Sequence, residues 1–369
     1  MSNATGSGYG LAEVGAAGTI AAPRLNYLPP RPRAYRPKIG VVGCGGISEY
    51  HLRAYRSLGL DVVALCDPQR DRAEKRRGEF YPNATVCTDY REVLRREEIE
   101  IVDLATHPHE RIEIIEAALR AGKHVLSQKP FVLDLDVGER LVALAAEKGR
   151  KLAVNQNGRW APHFSYLAAA IDAGVIGDLA SIDFTLQWDH TWTAGTAFEE
   201  VKHLVLFDFG IHWFDITARF LRGKLAQRVS ASIARTSFQQ MRPPMLAQVA
   251  IDYREVQVRL NFNGHVKYGQ EDRTVICGSR GTLRSFGPSL SEQAVELHTS
   301  EGSARVPLEG TWFANGFQGS MAELICAIED NREPLNNARD NLRSLALCFA
   351  AMQSADTGQP VVPGAVRRV

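Results

Sequence analysis

The sequence predicts two domains: an α/β domain with a doubly wound parallel sheet, then an α+β domain with a large, mostly antiparallel open sheet. The chain has 369 residues, more than one hydrophobic core usually serves. Short, continuously apolar segments alternate with helical segments over residues 38–157, as in parallel sheets covered on both faces. From residue 158 onward, segments that alternate between apolar and polar residues dominate, which is typical of antiparallel strands.

The first domain is predicted from a regular succession of buried strands and helices. Apolar runs predict strands that begin near Lys38, Asp61, Glu100, Lys123 and Lys151. Apolar residues at helical spacing, with glycines at several helix ends, predict helices over residues 48–58, 69–80, 111–121 and 134–148. Because parallel strands need such crossovers between them, a doubly wound sheet is expected.

The second domain is predicted mainly from strands. A helix is expected near residues 163–172 and another over 208–221. Period-2 segments predict strands over residues 180–188, 228–235, 245–253, 256–263, 273–277, 281–286, 294–298 and 304–308. Turns such as Asn263-Gly264 favour antiparallel neighbours. Amphipathic helices over residues 319–329 and 341–355 are expected to close the chain.

The N-terminal segment differs from the rest. Residues 1–37 are rich in Gly, Ala and Ser and then in Pro and Arg, so we expect a mobile or surface-draped arm before the domains at 38–157 and 158–369. The sequence contains no apolar stretch of signal-peptide or membrane-spanning length. We therefore expect a cytoplasmic protein with no membrane partner.

Charge and cysteine usage exclude some partners. The sequence has 43 basic and 42 acidic residues, a formal net charge of +1, which leaves no basic field for nucleic acid. Six cysteines are scattered without metal-ligand spacing, so we expect reduced thiols and no metal site. A small-molecule substrate is the expected partner.

A glycine cluster follows the first predicted strand. Gly43, Gly45, Gly46, Ile47 and Ser48 lie between that strand and a helix. A dinucleotide pyrophosphate needs bare backbone there, because side chains would block its approach to the N–H groups at the helix N-terminus. Ser48 takes the third glycine position of the fingerprint and is small enough for close packing. The placement predicts a Rossmann-type domain.

Asp67 ends the second predicted strand, 24 residues after Gly43. A carboxylate about 20 residues after the glycine loop is expected to bind a ribose 2′-OH and to repel a 2′-phosphate. The sequence therefore favours NAD as the cofactor. NADP stays possible because Arg70 and Arg72 follow closely, and Asp67 could instead cap the next helix across Pro68.

Further motifs resemble those of the Gfo/Idh/MocA oxidoreductase family. They are the glycine loop, the run Ala117–Val125, the dipeptide Lys129-Pro130, and Asp208 with His212 four residues later. The family's usual tripeptide is Glu-Lys-Pro, whereas this chain has Gln128 before Lys129, and Arg111 stands where many relatives carry a histidine. The resemblance implies that Thr106, Gln128 and Lys129 also contact the cofactor.

The resemblance also implies a catalytic set. Oxidation of an alcohol requires the hydroxyl proton to leave, and histidine is suited to take it near neutral pH. By resemblance, His212 is the general acid/base, Lys129 polarises the reacting oxygen, and Asp208 orients substrate or imidazole. From the residues alone, His212 could equally be a core histidine with Asp208 as a helix cap, and Lys129 a surface lysine.

Asn157, Arg159 and His190 are weaker candidates for substrate binding. The first two follow the last strand of the first domain, where the chain should cross the interdomain cleft, and His190 lies between Trp188 and Trp192 in a predicted loop. Aromatic rings beside polar side chains suit a carbohydrate pocket, although the same rings could simply pack the loop.

Three functions fit these residues. The first is an NAD(P)-dependent dehydrogenase that acts on a hydroxyl-bearing carbon of a sugar or polyol. The second is an NAD-dependent redox-assisted glycosidase or lyase, and the third is a regulator that senses sugar or NAD. By resemblance, we expect a homodimer or homotetramer that associates through the C-terminal sheet.

Overall fold

A computed structural model describes residues 18–369 and confirms the fold class. The strands of the first sheet are β1 (Lys38–Val42), β2 (Asp61–Cys66), β3 (Thr85–Cys87), β4 (Ile99–Leu104), β5 (His124–Gln128) and β6 (Leu152–Asn155). They are hydrogen-bonded in the order β3-β2-β1-β4-β5-β6, and every pair is parallel. The order reverses beside β1, so the crevice at the carboxyl ends of β1 and β4 is the expected ligand site.

Helices cover both faces of this sheet. They are α1 (Ser48–Ser57), α2 (Arg70–Phe80), α3 (Tyr90–Leu94), α4 (Pro108–Arg120) and α5 (Leu135–Glu147). One buried cluster contains Ile39 of β1 and Leu52 of α1, and another contains Val102 of β4 and Ile115 of α4. The strands are apolar on both faces for this reason.

The second sheet has eight strands. They are β7 (Leu179–Gln187), β8 (Ala226–Ala234), β9 (Leu246–Tyr253), β10 (Gln257–Asn263), β11 (Glu271–Gly278), β12 (Gly281–Gly287), β13 (Ala294–Thr299) and β14 (Gly302–Val306). The order is β14-β13-β12-β11-β7-β10-β9-β8, and only the β7–β10 pair is parallel. One face is buried while the other stays open, which explains the period-2 pattern.

Four helices belong to the C-terminal part: α6 (Pro162–Asp172), α7 (Ile211–Phe220), α8 (Trp312–Glu329) and α9 (Ala338–Thr357). Helix α8 packs on the first sheet, because Phe317, Met321 and Leu324 join the cluster around β1 and α1. Each such buried side chain contributes roughly 1.5–3 kcal/mol. The chain therefore returns from the second sheet to the first, and the packing of α8 holds the two sheets together.

Some element limits differ from the sequence prediction. Strand β3 and helix α3 were not expected, since both are short and lie at the sheet edge beside β2. Helix α8 begins at Trp312 instead of residue 319, and a π-helical turn over Val205–Phe209 precedes α7. Tertiary packing decides where these elements begin and end. The hydrophobic periodicity of the sequence carries no information about that packing.

The described part of the predicted N-terminal arm, residues 18–37, runs along the surface, while residues 1–17 lie outside the described residues. Thr19 pairs with Ser303 beside the edge strand β14. Further along, the Glu329 carboxylate accepts the backbone N–H groups of Arg33, Ala34 and Tyr35 at 2.6–2.9 Å. Within residues 18–369, no helix combines the length and apolar character that crossing a membrane requires.

Candidate active site

The glycine loop approaches the segment after β4 too closely for a side chain at Gly43. Gly43 has φ +94°, and a Cβ there would lie 2.8 Å from the carbonyl carbon of Ala105. A Cβ at Gly45 or Gly46 would instead face open space, with no heavy atom within 4 Å. No side chain caps the N-terminus of α1 after Ile47, and the N–H groups of Glu49 and Tyr50 make only the 3.3 and 3.1 Å contacts of a tight first turn, to the carbonyls of Gly46 and Ile47. This cradle fits a dinucleotide pyrophosphate.

Three side chains hold the loop in place. The Asp67 carboxylate accepts the N–H of Cys44 at 2.9 Å, and the buried Ser48 hydroxyl donates to the carbonyl of Gly45 at 2.6 Å. Arg76 of α2, also buried, donates to the Gly45 carbonyl at 3.2 Å and to Ser48 Oγ at 3.3 Å. Nothing in the sequence distinguishes Arg76 from the other charged residues of α2, so its contact with the loop could not be predicted.

A cleft of about 660 Å³ opens beside this loop, at the carboxyl ends of β1, β2 and β4. Gly43, Gly45, Asp67 and Thr106 line it, as does Arg72. Asp67 is 5% exposed, and its second oxygen accepts the N–H of Gln69 at 2.9 Å. A buried carboxylate at this position suits the ribose hydroxyls of NAD. Arg72 and Arg91 also line the cleft, and either could pair with the 2′-phosphate of NADP.

Arg111 joins the ends of two strands. Its guanidinium is buried and donates to the carbonyls of Thr106 and Gln128 and, at 2.8 Å, to that of Pro130. Burial lowers the pKa of Arg111 to about 9, so the group stays charged at neutral pH. It thereby fixes the segment that carries Lys129. The sequence marked Arg111 only as a departure from the family pattern.

Gln128 and Thr106, the other two predicted cofactor contacts, differ in their hydrogen bonding. The Gln128 side chain is 4% exposed and accepts the N–H of Lys129 at 2.8 Å. Thr106 Oγ1 is buried without a hydrogen-bond partner. A buried hydroxyl with no partner is costly unless a ligand or water completes it. The Thr106 hydroxyl is therefore suited to donate a hydrogen bond to a bound cofactor or to accept one from it.

Lys129 and Asp208 meet across the cleft. Lys129 Nζ lies 2.8 Å from the Asp208 carbonyl oxygen and 3.2 Å from Asp208 Oδ1. Asp208 lies in the π-helical turn Val205–Phe209, and the wider turn brings both its carbonyl and its carboxylate to the lysine. The two side chains are 16% and 26% exposed, so solvent and small molecules can reach both.

His212 lies in the first turn of α7, where its ring contacts Trp312 at 5.6 Å between centroids. Its Nδ1 is buried without a partner. Burial, and then the positive charge of Lys129, hold the pKa of His212 well below its usual value, so the imidazole is neutral at pH 7. Asp208 makes no hydrogen bond to His212. Its carboxylate contacts Lys129 instead. Asp208 therefore does not orient the imidazole, which was one of the two roles expected from the sequence.

The candidates for substrate binding are separated. Asn157 Oδ1 accepts the indole N–H of Trp312 at 2.8 Å, close to His212. Arg159 points away and forms a buried ion pair with Asp215, at 2.5 and 2.7 Å. The structure therefore does not bring Arg159 to the site, because its guanidinium neutralises a buried carboxylate elsewhere.

His190 does come to the site. Its ring stacks on Phe209 at 4.1 Å, next to Asp208, and its Nε2 is buried without a partner. Burial lowers the pKa of His190 to about 4, although the charges of Asp189 and Asp208 act in the opposite direction. A neutral imidazole with a free nitrogen could bond a substrate hydroxyl. No group of three metal-ligating side chains occurs among residues 18–369.

Two family models match the chain. The model described as "Oxidoreductase family, NAD-binding Rossmann fold" matches residues 37–156, and the "GFO/IDH/MocA C-terminal domain" matches residues 164–284. The chain belongs to the Gfo/Idh/MocA oxidoreductase family. Its first domain is therefore the NAD-binding Rossmann domain of this family, in agreement with the glycine loop and Asp67.

Curated Gfo/Idh/MocA relatives cover most of the chain. The D-apiose dehydrogenase of Paraburkholderia graminis is 28% identical over 349 residues, 88% of this chain and 89% of the relative. The inositol 2-dehydrogenase of Rhizobium meliloti is 26% identical over 341 residues, 86% and 96% of the two chains. A solved oxidoreductase from Agrobacterium radiobacter, in complex with NAD+, L-tartaric acid and magnesium, has a TM-score of 0.81 at 22% identity and covers 90% and 99%. That likeness shows the fold alone.

Proposed function

We propose that this chain is an NAD-dependent dehydrogenase that oxidises a secondary alcohol of a sugar or polyol to a carbonyl. The observation that carries the proposal is the approach of Lys129 to Asp208, within 3.2 Å, beside a neutral His212. The similarity to sugar and inositol dehydrogenases supports the substrate class.

NAD, when bound, supplies the hydride acceptor. The residues of the chain do the rest. Asp67 and the loop Gly43–Ser48 hold the dinucleotide, and Asp67 favours NAD over NADP because its carboxylate would repel a 2′-phosphate. Arg72 lines the same cleft, so some use of NADP is expected.

Proton transfer falls to the other group of residues. The Lys129 ammonium donates a hydrogen bond to the reacting oxygen and stabilises negative charge as the hydroxyl proton leaves. His212 is neutral and has a free nitrogen, so it can take that proton. Asp208 fixes the direction of the Lys129 side chain, and His190 offers a nitrogen to a second hydroxyl.

A screen of sugars and polyols with NAD and NADP tests this function by NADH formation at 340 nm. We expect oxidation of at least one sugar or polyol, abolished by Lys129→Ala and by His212→Ala while NADH still binds. Lys75→Ala, an exposed lysine of α2, is the matched control. Activity that survives both substitutions would overturn the proposal. Association through the open face of the second sheet, and a cytoplasmic location, stay predictions.

A further inference from the structure

Exposed aromatic side chains are concentrated at one end of the second sheet. Among the described residues, five aromatic side chains are more than 40% exposed: Tyr50, Trp192, Phe238, Tyr268 and Phe313. Three of them lie in loops that leave the same end of the sheet, after β7, after β8 and after β10. Their exposed fractions are 55% for Trp192, 71% for Phe238 and 90% for Tyr268. We call these three residues the aromatic rim.

Hydrogen bonds join these loops into one surface. The N–H of His190 donates to the carbonyl of Gly264 at 2.9 Å, which links the loop of Trp192 to the loop of Tyr268. The Phe238 ring packs on His265 at 5.2 Å, which adds the loop after β8. These contacts join the three loops that carry the aromatic rim to one another.

The rim is continuous with the candidate active site. Trp192 lies 6.3 Å from Phe209 between ring centroids, and His190 fills the space between them, at 6.1 and 4.1 Å. Phe209 directly follows Asp208, which contacts Lys129. A ligand with one end at Lys129 would therefore pass His190 before it reached Trp192.

The chemistry of the rim selects a neutral, polyhydroxylated or aromatic group. The neighbouring charges are mixed. Hydrogen bonds with Thr191, and to a lesser degree the charge of Lys267, lower the pKa of Asp189, and Arg242 pairs with Glu200 at 2.9 Å. Exposed aromatic faces next to hydrogen-bonding side chains match the C–H faces and hydroxyls of a sugar ring. Leaving such rings in water is unfavourable unless a ligand covers them.

We propose that the substrate is a glycoside: one ring is oxidised at Lys129 and His212, and the second ring or aromatic aglycone stacks on the aromatic rim. This inference rests on the proposed function and specifies its substrate. In a glycoside the anomeric carbon carries no free hydroxyl, so oxidation falls on a ring CH–OH. The C–H bond breaks and its hydrogen leaves with both electrons, as hydride, for which NAD+ would be the acceptor. The hydroxyl proton passes to His212, and a ring ketone forms with the glycosidic bond intact.

The test compares matched pairs of ligands. D-Glucose, D-galactose and D-xylose are each assayed beside their phenyl β-glycosides, by NADH formation and by calorimetric titration of the NADH-loaded protein. Trp192→Ala and Phe238→Ala are compared with Leu225→Ala. Leu225 is 77% exposed and precedes β8, at the opposite end of the sheet.

We expect at least one phenyl glycoside to exceed its free sugar about tenfold in kcat/KM or in affinity. Trp192→Ala and Phe238→Ala should lower that ratio about tenfold, whereas Leu225→Ala should leave it unchanged. Tight, rim-dependent binding without turnover of any sugar would uphold the rim and count against the proposed dehydrogenase. A ratio near one, a ratio insensitive to both rim variants, absence of glycoside binding, or dissociation of an oligomer by the rim variants would overturn the inference.

Discussion

The Lys129 ammonium lies 3.2 Å from Asp208 Oδ1 and joins the end of the first sheet to the π-helical turn that precedes α7. This contact spans the two halves of the chain, because the partners are 79 residues apart. It also places a fixed positive charge next to His212, whose pKa it helps to lower.

Lys129→Met should raise the pKa of His212. The positive charge of Lys129 disfavours the imidazolium, so its removal shifts the His212 titration toward higher pH, and the acid limb of any residual kcat/KM profile moves the same way. NMR titration of the His212 ring measures the shift, with Lys75→Met as the control. An unchanged titration would show that Lys129 does not act on His212.

Asp67→Ala should weaken NAD binding about 10- to 100-fold, because hydrogen bonds to a charged group contribute about 1.5–3 kcal/mol. Binding of NADP should change less, since the repulsion of its 2′-phosphate disappears with the carboxylate. Fluorescence titration with NADH and NADPH measures both constants, and Asp71→Ala on the exposed side of α2 is the control. Equal losses for the two cofactors would contradict this assignment.

Arg76→Met should weaken NADH binding about tenfold, because the Gly45 carbonyl and Ser48 hydroxyl lose their donor and the glycine loop loosens. Arg76→Lys keeps the charge and should recover part of the affinity. Arg53→Met removes an exposed arginine that pairs with Glu49 and lies over the Phe80 ring, away from the Gly45 carbonyl, and should have no effect. If Arg76→Met binds NADH as the parent does, the loop does not depend on this contact.

Arg159→Met should destabilise the fold by about 3–5 kcal/mol, because Asp215 is left buried without its cation. The double variant Arg159→Met/Asp215→Leu should regain part of that loss. Urea unfolding measures both. A rise in the KM of the double variant for a sugar, with stability regained, would instead return Arg159 to the substrate site.

Asp272→Asn should change how stability depends on pH. Burial, together with the charge of Glu271, raises the pKa of the Asp272 carboxyl to about 8, and both of its oxygens are buried without partners. The folded state then holds a proton that the unfolded state releases near pH 4. Stability therefore falls as pH rises from 4 to 8, by at most about 1.4 kcal/mol per pH unit.

The asparagine of this variant does not titrate, so the variant should lose less stability between pH 4 and pH 8. Thermal unfolding of both proteins between pH 4 and 9 makes the comparison, with the exposed Glu301→Gln as the control. Parallel curves for the parent and Asp272→Asn would mean that Asp272 is ionised in the folded protein.

Much of the fold follows from local patterns. The strands β1, β2, β4, β5 and β6 are largely continuous apolar runs. Such runs are typical of a parallel sheet that helices cover on both faces. The edge elements β3 and α3 and the first turns of α8 could not be predicted in this way. They are stabilised by neighbours that are distant in the sequence, as Trp312 is by Asn157.

The glycine loop and the place of Asp67 directly after β2 could be predicted from the sequence alone, and their role in holding a dinucleotide stays a prediction. The partners of the charged side chains could not be predicted, because they depend on contacts between distant segments. Arg159 and Lys129 both follow strands of the first domain and were both candidates for the site, yet Arg159 neutralises buried Asp215 and Lys129 reaches Asp208. The reason is physical: a cation takes the anion that the fold brings within a few ångströms, and that choice depends on contacts between segments far apart in the chain.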